Sequence, residues 1–230
     1  MKRKINFTLV LTALIACFAP ASASHAVNER ISLNISKVLT STLAVEPDKS
    51  STDYKMYVAL KGENFDRTFL ANMLVHHRGA VEMANLALTH ASHREIKVLA
   101  KAILKAQSAE ISQMTLWEKK WGYFGKSAPM SKDQGAMSMS GSNAEMMNAL
   151  TRKNGVAFDK AFLIEMITHH QSAINMAAPG AKNAGRAEVK KLTVAIVIAQ
   201  SREIKQMKQW QAHWGYKTSM SSNSMPGMSH

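Results

Sequence analysis

The sequence predicts an all-α protein, an antiparallel four-helix bundle built from two duplicated helical hairpins. Strand signals are poor, since no run alternates β-branched or aromatic residues with polar ones, whereas Ala, Leu, Met, Lys and Gln dominate. A long segment also occurs twice, at a constant offset of 93 residues. Two hairpins that each carry one apolar stripe can bury those stripes against each other, which gives a four-helix bundle with pseudo-twofold symmetry.

The repeat begins at Phe65 and returns at Phe158 without a gap. Its most distinctive part is MLVHHRGAVEMA from Met73, which returns as MITHHQSAINMA from Met166. On a helix the methionines and histidines of each copy follow the i, i+3, i+4, i+7 rule, so they share one face. Residues 95–123 recur as residues 188–216, and both segments end in the pattern W-x3-W-G-Y.

Six segments are predicted along the chain. They are a signal peptide at 1–23, an extension with a short helix from Asp53 to Lys61 at 24–62, the first hairpin at 63–123, a Met/Ser/Gly-rich linker at 124–157, the second hairpin at 158–217 and a Met-rich disordered tail at 218–230. Within the linker we predict flexible chain at 133–142 and a helix at 144–153. The hairpin helices are predicted at about 64–89, 93–121, 158–178 and 187–214, where N-cap residues, glycines and Pro179 mark their ends.

Residues 1–23 have the features of an export signal. Three basic residues precede an apolar run from Ile5 to Phe18, and the sequence Ala-Ser-Ala at 21–23 suits signal cleavage. The run is too short to cross a bilayer, so we predict a periplasmic or secreted protein with no transmembrane segment in the mature chain. Cys17 follows Leu-Ile-Ala, which looks like a bacterial lipobox. Lipid anchoring through Cys17 is therefore the alternative to incidental placement.

Composition argues against several classes of function. Cys17 is the only cysteine, which leaves no disulfide, thiolate zinc site or cysteine nucleophile. The net charge is +13, and loss of the three basic residues of the signal leaves 26 basic against 16 acidic residues, or +10. We predict no nucleic-acid partner, because the protein is exported and no basic stripe alternates with stacking aromatics. No nucleophile–base arrangement is evident, so we predict that the protein is not an enzyme.

The paired histidines are the strongest candidates for metal ligands. A methionine at helical spacing is more often plain core, and that interpretation is favoured for each methionine of the motif taken singly. Two adjacent histidines differ, because burying an imidazole costs free energy unless it is bonded. The candidate metal-binding residues are Met73, His76, His77, Met83, Glu110, Met114, Met166, His169, His170, Met176, Glu203 and Met207.

Glu110 and Glu203 enter the same stripe on the second helix of each hairpin, four residues before Met114 and Met207. Each glutamate could be a ligand, or an acceptor that fixes the tautomer of an imidazole. The alternative is a glutamate at the rim, paired with lysine or hydrogen-bonded by a neighbouring glutamine. The sequence leaves these interpretations open.

The donor types favour copper. Thioethers together with imidazoles select Cu(I), and thioethers need no deprotonation and form no disulfides in an oxidising compartment. The chain has 16 methionines and 9 histidines against one cysteine. Further donors lie in the linker and tail, where we expect no packed core to explain them: Met130, Met137, Met139, Met146, Met147, Met220, Met225, Met228 and His230. We predict a bound copper ion.

The repeated motif resembles the signature of the bacterial domain of unknown function 305 family, over roughly residues 64–217. Members are exported, ferritin-like four-helix bundles and include a cyanobacterial periplasmic copper-binding protein implicated in copper resistance. The resemblance implies copper binding or buffering, with other copper-handling exported proteins as candidate partners. The residues it implies as ligands are Met73, His76, His77, Met83, Met166, His169, His170 and Met176.

Three functional hypotheses follow. The favoured one is an exported buffer, store or carrier of Cu(I), with Cu(II) and Ag(I) as further ions, acting in copper homeostasis or resistance. The enzyme alternative is a ferritin-like metal oxidase, which normally carries Glu-x-x-His motifs on facing helices; neither repeat has one. The third is a metal-free helical interaction module, against which the methionines of the linker count.

Overall fold

A computed structural model describes residues 44–123 and 136–216, with all side chains in these ranges except those of residues 136–140. In these ranges the chain forms helices and, apart from two isolated bridges, no β-structure. The helices are α1 (Thr52–Ala59), α2 (Gly62–His90), α3 (Arg94–Trp121), α4 (Ala136–Thr151), α5 (Gly155–Ala177), α6 (Gly180–Asn183) and α7 (Ala187–His213). The prediction of an all-α protein is confirmed.

The four long helices α2, α3, α5 and α7 form the bundle. α2 packs most extensively against α3 and α5 against α7, and the two hairpins meet along α2 and α5. Stacked rings fill the core at equivalent places: Phe65 and Phe69 lie 5.5 Å apart, and Phe158 and Phe162 lie 5.9 Å apart. The duplication therefore governs the packing of the core as well as the order of the helices, and the prediction of two paired hairpins is confirmed.

Each hairpin also caps the last long helix of the other hairpin. The buried carboxylate of Asp66 accepts hydrogen bonds from the backbone N–H groups of Gly185 and Arg186, both at 2.9 Å, just before α7. Asp159 does the same for the two N–H groups just before α3, at 2.9 and 3.0 Å. Carboxylates are favoured at helix N-termini, where N–H groups lack intrahelical acceptors. These equivalent contacts hold the two hairpins in one register.

Several helix bounds differ from the prediction because glycines start helices here. α2 begins at Gly62 rather than Asn64, and α5 at Gly155 rather than Phe158. Both glycines have positive φ, 55° and 59°, a conformation that costs glycine little and turns the chain sharply into each helix. Gly62 therefore starts α2, and the helix before it ends at Ala59 rather than at Lys61 as predicted. The short helix α6 after Pro179 was not predicted.

The linker contains a longer helix than its composition suggests. α4 starts at residue 136, so the expectation of flexible chain up to residue 142 is wrong for 136–142. α4 packs along α2, and such tertiary packing outweighs the weak helix propensity of Gly and Ser. Met146 is buried and Met147 half-buried against the core, so the expectation that no packed core explains the linker methionines is wrong for these two.

Other expectations fall outside the part of the chain that the structure describes. These are the signal peptide with Cys17, the segment around Met130, the tail with Met220, Met225, Met228 and His230, and the side chains of Met137 and Met139. Within residues 44–123 and 136–216, no helix is long and apolar enough to span a membrane.

Candidate metal centre

The four histidines of the repeated motif are all buried within the bundle. Their exposed fractions are 3% for His76, 0% for His77, 1% for His169 and 0% for His170. Adjacent rings diverge, with centres 6.2 Å apart in each pair. His76 and His169 instead meet across the contact between α2 and α5, with ring centres 3.6 Å apart and planes inclined by 34°. Because these two residues are equivalent in the repeat, the pseudo-twofold axis passes between them.

A cavity of about 90 Å³ adjoins His76 and His169. Its other lining residues are Asp53, Ser142, Asn143, Met146 and Ser172. All four ring nitrogens of the two histidines are buried and have no hydrogen-bond partner among the described residues. Burial, followed by repulsion from the neighbouring imidazoles, holds the pKa of both rings well below the usual 6.5. Each neutral ring therefore offers a lone pair, which is the form that binds metals.

His77 and His170 are held differently, by the glutamates of α3 and α7. The distance between Nε2 and the carboxylate Oε2 is 2.7 Å for His77 and Glu110, and again for His170 and Glu203. An ionised carboxylate can only accept, so Nε2 carries the hydrogen, and in the neutral ring Nδ1 has the lone pair. Neither buried Nδ1 atom has a hydrogen-bond partner among the described residues. Metal-binding histidines commonly donate their second nitrogen to a carboxylate in this way.

This geometry fits the interpretation of Glu110 and Glu203 as acceptors that orient an imidazole. Their side chains are 14% and 20% exposed and each is paired with a histidine rather than with a lysine. The expectation that the two glutamates themselves bind a metal stays a prediction.

A second, smaller cavity of about 10 Å³ lies between α3 and α7. Gln107 and Glu110 line it together with their repeat equivalents Gln200 and Glu203. The Oε1 atoms of both glutamines are buried without a hydrogen-bond partner in the described ranges, and a space of this size holds about one water molecule. Equivalent residues face each other here as well, so the pseudo-twofold axis runs from this cavity to the pair of His76 and His169.

The six methionines proposed as ligands are all in the buried core, each at most 1% exposed: Met73, Met83, Met114, Met166, Met176 and Met207. Burial is expected both for core residues and for ligands, so their roles stay predictions. Across residues 44–123 and 136–216, no three His, Cys, Asp or Glu side chains lie close enough to hold a metal ion. A centre built here therefore needs a thioether or another donor beside the imidazoles.

Some cavity residues were not foreseen as part of a site. Met146 was predicted only as a further donor of the linker, apart from the repeated motif, whereas it forms one wall of the cavity beside His76 and His169. Asp53, which lies before the repeat, forms another wall. Both residues lie outside the duplicated segments, so no periodicity relates them to the histidines.

Comparison with known proteins identifies the family. The sequence model of the family described as domain of unknown function DUF305 matches residues 66–211. The solved structure of CopM in the Cu(I)-bound form is 37% identical, with a TM-score of 0.53, and the match covers 66% of this chain and 98% of CopM. CopM in the Cu(II)-bound form gives 38% identity and a TM-score of 0.52, covering 65% of this chain and 98% of CopM.

A solved structure of another DUF305 protein is also similar to this chain. A DUF305 protein from Streptomyces coelicolor is 25% identical, with a TM-score of 0.58, and the match covers 68% of this chain and 98% of that protein. CopM is also known in an Ag-bound form, at 38% identity. No curated protein matches the chain significantly. Since the family model spans more than half of the sequence, the chain belongs to the DUF305 family.

Proposed function

We propose that the protein is an exported copper-binding protein that buffers, stores or carries Cu(I), and also takes Cu(II) and Ag(I), in copper homeostasis or resistance. The observation that carries the proposal is the close pair of His76 and His169, which is buried beside a cavity and has no hydrogen-bond partner among the described residues. Leaving buried polar groups unpaired costs free energy, so such a pair is expected where a ligand completes it. CopM, 37% identical, is known in Cu(I)-bound, Cu(II)-bound and Ag-bound forms.

The chemistry of the donors supports a soft monovalent ion. His76 and His169 offer neutral imidazoles to the cavity, and His77 and His170 offer Nδ1 while their glutamates hold Nε2. Methionines from both repeats lie in the same core. Neutral nitrogen and thioether donors bind Cu(I) without releasing a proton, and the apolar surroundings limit its access to water and oxygen. The ion is cargo in this proposal, and no reaction is catalysed.

A variant that lacks all four histidines tests the proposal. Purified protein is titrated with Cu(I) in competition with a chromogenic chelator. Replacing His76, His77, His169 and His170 together by alanine should weaken binding sharply, whereas His213→Ala, at an exposed position of α7, should leave it unchanged. If the fourfold variant and the parent bind Cu(I) with equal affinity, the bundle is not the binding region. Mass spectrometry of the secreted protein reports the copper count and the processed N-terminus together.

The oxidase alternative has a separate test. Ferritin-like oxidases hold their metals with carboxylates and histidines on facing helices. Here each glutamate is engaged by one histidine, and no set of three such residues converges within the described ranges. We therefore expect no oxygen consumption above the uncatalysed rate when Fe(II) is added in air. Sustained turnover would favour the oxidase.

A further inference from the structure

The surroundings of the cavity beside His76 and His169 do not follow the twofold symmetry of the bundle, because α4 covers the cavity from one side. Asn143 of α4 donates a hydrogen bond from Nδ2 to the carbonyl oxygen of Val75, at 3.1 Å. A Cβ added at Gly79 would lie 2.4 Å from Cγ of Asn143, so a larger residue at 79 would push the Asn143 side chain out of its place against α2. A glycine inside a helix is less favourable than alanine, and the close approach of Asn143 accounts for its presence here.

The second repeat lacks this glycine, and the helix that packs on α5 from outside the repeat is α1, which carries Asp53. The residue equivalent to Gly79 is Ser172, whose hydroxyl donates to the carboxylate of Asp53 at 2.6 Å. The chain therefore places a helix from outside the repeat over one side of the histidine pair, and a carboxylate over the other. α4 contributes Met146 to the cavity wall.

The geometry of the histidine pair calls for a third donor. Metal–nitrogen distances of about 2 Å place two ring nitrogens about 4 Å apart when an ion lies in line between them, with the ring centres farther apart still. The centres of His76 and His169 are only 3.6 Å apart, so the two rings cannot hold an ion between them from opposite sides. They can bind it only side by side, which leaves the cavity side of the ion open.

Of the cavity walls, Met146 is the donor that fits. Asp53 is engaged by Ser172, and no set of three His, Cys, Asp or Glu side chains in the described part of the chain is close enough to hold a metal. Asn143 Nδ2 donates to the backbone of α2, and its Oδ1 is a hard oxygen donor, which a soft monovalent ion does not favour. Met146 has a thioether on a side chain with several rotatable bonds, and the residue is 9% exposed. The side chain can adjust to an ion without breaking a hydrogen bond.

We propose that Met146 completes a three-donor site with His76 and His169, which takes a soft monovalent ion, Cu(I) or Ag(I). The site rests on the proposed function and adds to it a ligand from α4, outside both copies of the repeat. It occurs once per chain, because only the α2 side carries the glycine against which Asn143 of α4 packs.

Two matched pairs of variants test this site. Met146→Leu keeps the volume and apolar character of the side chain and removes the sulfur, so it should weaken Cu(I) and Ag(I) binding about tenfold or more. Met147→Leu changes the neighbouring methionine, which packs on the core but does not line the cavity, and should leave binding unchanged. Gly79→Ala should break the hydrogen bond from Asn143 to Val75, loosen α4 and weaken binding in part, whereas Gly141→Ala on α4, where an added Cβ meets nothing within 4 Å, should leave binding unchanged.

The outcomes distinguish the three-donor site with Met146 from copper binding by the bundle in general. Circular dichroism and thermal melting of each variant establish that it folds before its affinity is compared. Should His76→Ala/His169→Ala lose affinity while Met146→Leu binds like the parent, the thioether assignment is overturned and copper binding stands. If instead the double histidine variant also binds like the parent, the cavity is not the site. If Met146→Leu fails to fold, the pair Gly79→Ala and Gly141→Ala decides.

Discussion

Glu110→Ala tests how the inner histidine is held. Glu110 Oε2 lies 2.7 Å from His77 Nε2, and the His77 side chain is fully buried. In the variant, the N–H group of His77 loses its only acceptor among the described residues, and the ring is free to turn or to exchange its tautomer. The variant should therefore lower both the stability of the metal-free protein and its affinity for copper.

The two effects have different sizes. An unpaired buried donor costs about 1–3 kcal/mol, and since the Glu110 side chain is 14% exposed, water can replace part of the lost bond. We expect the free energy of unfolding to fall by about 1–2 kcal/mol. Removal of a carboxylate that orients a metal-binding histidine typically weakens metal binding about 10–100-fold. Glu110→Gln keeps an acceptor oxygen without the charge, so it should lower the free energy of unfolding and the copper affinity less than Glu110→Ala does.

Two measurements on the same preparations check this. Urea unfolding of the metal-free variants, followed by tryptophan fluorescence, gives the stability, and chelator competition gives the Cu(I) affinity. Glu82→Ala, at an exposed position of α2, is the matched control and should behave like the parent. If Glu110→Ala and Glu82→Ala have the same urea midpoint and the same affinity, the carboxylate neither supports His77 nor tunes a metal site.

Three further predictions concern the scaffold. Asp66→Ala and Asp159→Ala should each lower the free energy of unfolding by about 2–3 kcal/mol in urea, since each removes two bonds that cap a long helix. The metal-free protein should lose stability as the pH falls below 6.5, because burial holds the pKa values of His76 and His169 well below 6.5 in the folded state and the unfolded chain binds protons first. The free energy of unfolding should fall by up to about 1.4 kcal/mol per pH unit for each of the two histidines. Gly122→Ala should cost about 1 kcal/mol and lower the melting temperature, since φ at this helix end is 70°.

Control variants show whether the named carboxylates and histidines cause these changes in stability. Glu63→Gln changes an exposed carboxylate near Asp66 that reaches only Arg67, at 4.0 Å, and should be nearly neutral. Burial raises the pKa of Asp66, which offsets part of its bonding, and Asp159 also accepts from His93 Nδ1 at 2.6 Å. Asp159→Ala should therefore be the more damaging of the two. A metal-free His76→Gln/His169→Gln variant should lose most of the pH dependence, and an unchanged slope would assign it to other groups.

The repeat explains why so much of the fold was predictable. Helical periodicity and an offset constant over both hairpins indicate which faces must pair, because each hairpin has one apolar stripe to bury. The confirmed helix ends at Gly122 and Gly215 follow from a residue that adopts positive φ without strain. The starts of α2 and α5 were misjudged, because the same property lets glycine begin a helix.

The length of α4 could not be predicted, since it depends on a contact between segments with no shared period. Ser and Gly between residues 138 and 142 favour loops when taken alone. Packing along α2, where Gly79 leaves room for Asn143, supplies burial that local propensity does not contain. The same contact places Met146 at the histidines, which its position in the linker gave no reason to expect.

The sequence by itself determined the helical class, the pairing of two equivalent hairpins and the donor types, because periodicity, duplication and side-chain chemistry are local properties of the chain. Only the tertiary structure decided which histidine faces which partner. Adjacent residues on a helix point about 100° apart, so His76 meets its own repeat equivalent while His77 meets Glu110. Their surroundings depend on how the neighbouring helices pack, and those distances arise only when segments far apart in the chain are brought together.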